Sequence, residues 1–290
     1  MSSRILPPAL EPYLQLPPET SLILLTSTLG CSVNWLTARF ISSALASDQQ
    51  QQQPPLAILL VSWIRDLAFW KNELRRTSGI DISKLSQTNK FAFVDYLNNS
   101  STPSSPSTSP PPSPPNLSTS HPLIHQSLTD LLSSSTPPKI LLILDAPDIL
   151  LTTTPSSPTP SSLPTLLLTL RSHPSIHSTL LSTSADLPLI SNATQNPQNS
   201  HTAAPTSLEI SSAAFISTQA HLSRWVMGVR ALETGAARDV SGVLRITRGG
   251  GWEWEEDGEG EGEGMGREVE LLYLVGRDGN VKVFERGVDG

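Results

Sequence analysis

Cysteine is nearly missing: the 290 residues hold one, Cys31, which excludes an intramolecular disulfide and a cysteine-based zinc site. Long apolar runs are missing too. No stretch approaches the ~20 residues that cross a bilayer, so no membrane partner is expected. The opening MSSRILPPALEPY lacks a long apolar core, and a secretory signal is not expected. No G-x-S-x-G elbow occurs, and serine is so abundant that a Ser/His/Asp set carries no weight as a triad. Excess positive charge is absent. The formal net charge is −7, and Glu253–Glu263 contributes seven acids and no base. Without that run the remaining 19 acids equal the 19 Lys and Arg, which argues against strong autonomous nucleic-acid binding.

What is present is a set of strong apolar segments diluted by serine- and proline-rich stretches. They imply one core of roughly 200 residues, enough to bury a substantial area. Residues 1–20 are proline-punctuated and are expected to lie as an extended arm. Leu22–Leu25 reads as a buried strand, Thr26–Ser32 as a tight turn, and Val33–Leu45 as a helix. Strand, small-residue turn and helix form the frame of a phosphate-binding loop. That loop needs paired glycines, so that its amides can curl around phosphate, and a lysine for the phosphate charge. TSTLGCSVN offers only Gly30 and no lysine, so the frame is expected to survive without nucleotide chemistry and without a cofactor.

Leu56–Ser62 reads as a second strand. It leads into an expected helix, Trp63–Thr77, with Trp63, Leu67, Trp70 and Leu74 on one face and Lys71, Glu73, Arg75 and Arg76 pointing away. Phe91–Tyr96 is a third strand, His121–Ser133 a short helix, and Lys139–Leu144 the most hydrophobic strand, ending in Asp145. Leu163–His173 reads as a helix, Ser178–Ser184 as a strand, Leu187–Thr206 as a polar loop, and Leu208–His221 as a helix. Apolar strands separated by helices indicate an α/β fold with a parallel sheet covered on both faces. The runs Arg224–Leu232, Val240–Arg248, Glu268–Val275 and Asn280–Arg286 then read as antiparallel strands, with Asp278–Gly279 as a hairpin turn.

Leu141–Asp145 has the form of a Walker B strand, whose Asp helps to hold magnesium in a working nucleotidase. The pattern alone is common at strand ends, and Asp145 is read as a vestige or as an incidental acid. Ala146 follows where a catalytic carboxylate would stand. His121/His125 and His173/His177 have the spacing of helical metal ligands, but Pro122 and Pro174 interrupt them and no carboxylate or Cys sits nearby, so they read as surface histidines.

The segments LILLTSTLGCSVNWL (22–36), ILLVSWIRDLAFWK (58–71) and ILLILDAPDILL (140–151) carry a resemblance, as do LLSTSADLPLI (180–190), TGAARDVSGVLRITRGG (234–250) and ELLYLVGRDGNVKVFERG (270–287). Together they closely resemble the sixth-subunit family of the Elongator complex, from about Pro17 to Gly287 and outside the low-complexity insertions. The resemblance implies a RecA-like domain over 21–290 with a degenerate P-loop, after an arm over 1–20. It implies insertions at 47–55, 98–120 and 152–162 and an acidic loop at 249–266. It also implies a non-catalytic subunit of a heterohexameric ring formed with the fourth and fifth subunits. That ring serves the Elongator catalytic core in modifying tRNA wobble uridine, in cytoplasm and nucleus. The resemblance further implies that the ring binds tRNA. The loops that would face its channel, Ala146–Ser162 and Leu187–Thr206, lack Lys and Arg, so this subunit is expected to add little RNA affinity there, and any contact it makes is expected from the arginines of the β-rich end, above all Arg245 and Arg248. The alternatives are an active or composite-site ATPase and a DNA-binding recombinase paralogue. Residues 98–120 and 253–265 are too poor in apolar side chains to offset the entropy of ordering and are expected to be disordered.

Overall fold

In this computed structural model the described residues are 7–48, 55–99, 117–134, 137–153, 162–194, 204–233, 235, 237–252 and 267–285. The stretch 253–265 and most of 98–120 lie outside them.

Prolines open the chain but do not keep it extended. A 3-10 turn, Pro8–Leu10, runs into α1, Glu11–Leu14, with prolines at the first helical positions, where a missing N–H costs nothing. Leu10, Tyr13 and Leu14 are buried, so the arm is an integral part of the core.

The strand and helix units follow in order: β1 Leu22–Ser27, α2 Asn34–Asp48, β2 Leu56–Ser62, α3 Leu67–Ser78, α4 Ile82–Gln87, β3 Phe91–Asp95, α5 Tyr96–Asn99, α6 Leu117–Leu132 and β4 Lys139–Asp145. Then come α7 Ile149–Thr153, α8 Ser162–Arg171, β5 Ile176–Ser184, α9 Leu187–Thr194, α10 Ser207–Leu222 and β6 Trp225–Arg230. β7 Gly242–Arg248, β8 Val269–Val275 and β9 Val281–Glu285 close the chain. One sheet runs β3-β2-β4-β5-β1-β6-β7-β8-β9. It is parallel from β3 to β6 and antiparallel from β6 to β9. The fold is the expected α/β architecture. Gly279, at φ +81°, makes the β8–β9 turn where Asp278–Gly279 predicts it.

Successive residues of a strand point to opposite faces, and the core divides accordingly. Ile23, Leu25, Ile58, Leu60 and Ile143 face α2, α3, α4 and the N-terminal segment, and this layer continues across β6 to β9 through Met227, Ile246 and Tyr273. Leu22, Leu24, Leu59, Val61 and Leu142 face α6, α8 and Phe215 of α10. The second layer ends at the parallel part of the sheet.

Four readings of the sequence are corrected. Trp63 is not on the helix: Asp66 caps α3 by accepting from the Phe69 amide, and Trp63 stacks on Tyr96 on the sheet face opposite Trp70. Glu73 does not point away; it is buried and accepts from Thr77 Oγ1 at 3.1 Å and from Arg76 Nη2 at 2.8 Å. Leu187–Thr206 is not all loop, since α9 occupies its first eight residues. Finally, α6 begins at Leu117, inside the stretch expected to be disordered.

Candidate functional site

The strands β1 to β5 each end in a hydroxyl or an acid, and the register sets Ser62, Asp145 and Ser182 abreast: Ser62 pairs with Asp145, and Asp145 with Ser182. All three are buried. Asp145 Oδ2 accepts from Ser62 Oγ at 2.7 Å, and Oδ1 from Ser182 Oγ at 2.9 Å. The charge is met by Arg65, whose Nη1 donates to Oδ1 at 2.7 Å. The Ser62 hydroxyl also accepts from the Arg65 amide at 3.0 Å, which fixes the backbone that carries the guanidinium. The position that would meet a magnesium ion thus faces a cation of its own chain, with both oxygens in hydrogen bonds.

β5 lies between β4 and β1, so the strand–turn–helix stands beside this row. Gly30, at φ +86°, supplies the left-handed backbone that the turn requires, and the Cys31 amide donates to Thr28 O. The Leu29 amide does not open onto a vacant cradle. It donates to Asp186 Oδ1 at 2.5 Å, and Asp186 Oδ2 accepts from Ser184 Oγ at 2.8 Å. A carboxylate of the β5–α9 connection therefore holds an amide of the turn in which a nucleotide phosphate would be cradled.

Asp148 lies between the two. Its Oδ2 accepts from the Ser184 amide at 3.1 Å, while Oδ1 is enclosed without a partner. Burial, helped by nearby Asp145, raises its pKa above the ordinary carboxylate value, against the hydrogen bonds that lower it. Ala146, between the two acids, takes a left-handed φ of +55°, and its amide donates to Ser182 O.

Gly30 and Asp145 thus lie at the same end of the sheet, with β5 between their strands, whereas the two RNA candidates are on opposite faces. Arg245 is exposed on β7 on the face away from Leu244 and Ile246, in register with Glu270. Arg248 lies on the other face, its guanidinium carbon 4.9 Å from the Trp252 ring centroid. Sequence reasoning missed Arg65, counted as part of a helix, and Asp186. The available signal was the polar residue ending each apolar strand, in LLVSWIRD and LLSTSAD.

His125 of α6 meets His173, with ring centroids 6.2 Å apart. Burial, and then the His125 charge, lower the His173 pKa. No cluster of three metal-ligating side chains exists among the described residues. Nor is any of their helices long and apolar enough to cross a membrane.

No protein-family model and no curated protein sequence matches the chain. Among solved structures it is similar to a KaiC-like protein of the hyperthermophilic archaeon Pyrococcus horikoshii. The identity is 14%, the alignment covers 98% of each chain, and the TM-score is 0.52. At that identity the likeness shows the fold. The chain has a RecA-like fold.

Proposed function

We propose that this chain is a non-catalytic RecA-like subunit that works through protein–protein contacts. Its finer role is that of the sixth subunit in the Elongator accessory ring, beside the fourth and fifth subunits, in support of tRNA wobble uridine modification. The observation that carries the non-catalytic part is internal occupancy: Asp186 holds the Leu29 amide and Arg65 neutralises Asp145. Phosphoryl transfer requires a cradle of free amides, a lysine and a metal held by a carboxylate. Here the turn has no lysine, and those two groups serve the fold.

The ring assignment rests on the quoted segments. The test is affinity purification of the tagged chain with mass spectrometry, together with nucleoside analysis of tRNA from cells lacking it. Two related RecA-like partners in equal amount and loss of wobble uridine modification are expected. Recovery of the chain without such partners, or unchanged tRNA, overturns the ring reading.

A further inference from the structure

We propose that His125 and His173 form a binding site for a divalent transition metal ion of the zinc, nickel or copper class, which clips α6 to the turn between α8 and β5. The site stands apart from the Asp145 row and does not rest on the ring reading.

The two rings come from separate elements and meet edge-on, with centroids 6.2 Å apart and planes at 79°. The backbone beneath each is fixed. Ile124 and Leu128 of α6 share one buried cluster with Leu167 and Leu170 of α8 and with Ile176 of β5. The His173 amide donates to Leu170 O, and the His173 carbonyl accepts from the Ile176 amide, so the turn is closed around this residue. His125 is exposed and His173 half-buried, which leaves the pair within reach of ions in solution. Zinc stands about 2 Å from a coordinating imidazole nitrogen, so two imidazoles on one tetrahedral ion have centroids roughly 5 Å apart. Rotation of the side chains, without backbone movement, closes the difference from 6.2 Å.

Neutral imidazole is the form that binds metal. Burial, and then the His125 charge, lower the His173 pKa, so that ring is neutral at neutral pH. Protonation of both rings sets like charges together, whereas a shared ion satisfies both. The Ser175 amide donates to His173 Nδ1 at 3.2 Å. Coordination through either nitrogen gives this bond up, since metal at Nε2 puts the imidazole proton on Nδ1. The affinity is therefore modest. Imidazole suits zinc, nickel and copper, while magnesium and calcium require oxygen ligands. No group of three His, Cys, Asp or Glu side chains gathers among the described residues, so water fills the remaining positions of the ion there. The interruption expected at Pro122 does not occur. α6 runs through it, and His121 holds the position four residues before His125 in the same helix.

The test is calorimetric titration of zinc chloride into the full chain, purified without a histidine tag and stripped with chelator. One ion per chain is expected, with a dissociation constant on the order of 10 μM, far weaker than structural sites with four ligands. Zinc at about tenfold that constant should raise the midpoint of thermal unfolding by a few degrees, and magnesium should not. His125→Gln and His173→Gln should each cut zinc affinity at least tenfold and abolish the shift. His125 is exposed, so its variant keeps the fold, and melts without metal check this for both. Cys31→Ser, and a chain with the seven acids of 253–263 changed to amides, should bind zinc as before. His121→Gln decides between two and three protein ligands, and either result supports the site. Affinity weaker than about 1 mM overturns it. So does binding that survives in the folded His125→Gln and His173→Gln chains, or that is lost in Cys31→Ser or the amide form.

Discussion

Removing the cation that faces Asp145 tests the row of strand-end residues at its most sensitive atom. Arg65→Ala leaves a buried carboxylate with two hydroxyl donors and no counter-charge. The expected cost is about 2–3 kcal/mol in urea unfolding, below that of a fully enclosed pair because the Arg65 side chain keeps 23% exposure. A loss under about 0.5 kcal/mol, the scale of a surface pair, would mean that Arg65 is ornamental.

Asp148 carries the opposite sign. Its folded pKa is raised, so the native state binds the proton more tightly than the unfolded chain does. The carboxylate therefore costs no stability well below 3.8, its ordinary value. The cost grows as pH rises from there and is complete above the folded pKa. Asp148→Asn keeps an oxygen for the Ser184 amide. It should raise the midpoint of thermal unfolding at neutral pH, with the gain vanishing at the acid end. A gain that persisted unchanged in acid would contradict this origin.

Among the elements, the clearest dependence of structure on residue type is at the end of α10. Its last carbonyls are closed by the glycine turn, and a Cβ on Gly249 or Gly250 would overlap Ser223 O or His221 O. Gly250→Ala should cost on the order of 2 kcal/mol or more through displaced backbone, as read from a denaturant curve. Gly79→Ala, where nothing lies within 4 Å of the added methyl and only the left-handed φ of +70° objects, should cost about 1 kcal/mol. Equal costs at the two sites would remove steric closure as the reason for the triplet.

This contrast also marks what the sequence makes legible. The strands β2 and β4 are readable because each is apolar on both faces, and LAILLVS and KILLIL have no polar interruption. α9 was hidden because LPLISNAT is short and flanked by polar residues, and Trp63 was misplaced because a tryptophan at helical spacing imitates a helical face. The loss of the P-loop was legible from missing residue types. The reuse of its amide by Asp186 was not, since Leu29 and Asp186 lie 157 positions apart and meet only through the β1–β5 pairing.

For the whole molecule, the sheet is one continuous support with two unlike edges. At one, Ser62, Ser182 and Arg65 are hydrogen-bonded to Asp145, and separately Asp186 holds Ser184 and the Leu29 amide, at the site where a RecA-like fold with a working P-loop would hold nucleotide. At the other, Arg224 and Arg248 stand over Trp252, which packs on Trp225 and through it on Tyr13. If the first edge is closed by the chain's own side chains, nucleotide has to compete with bonds that hold the fold together. Calorimetric titration of magnesium ATP into the purified chain measures that competition directly. The account predicts no saturable heat at any ATP concentration up to about 1 mM, which bounds the binding free energy at weaker than about −4 kcal/mol. A stoichiometric isotherm with micromolar affinity would show that Asp186 and Arg65 yield to nucleotide, and would contradict the account.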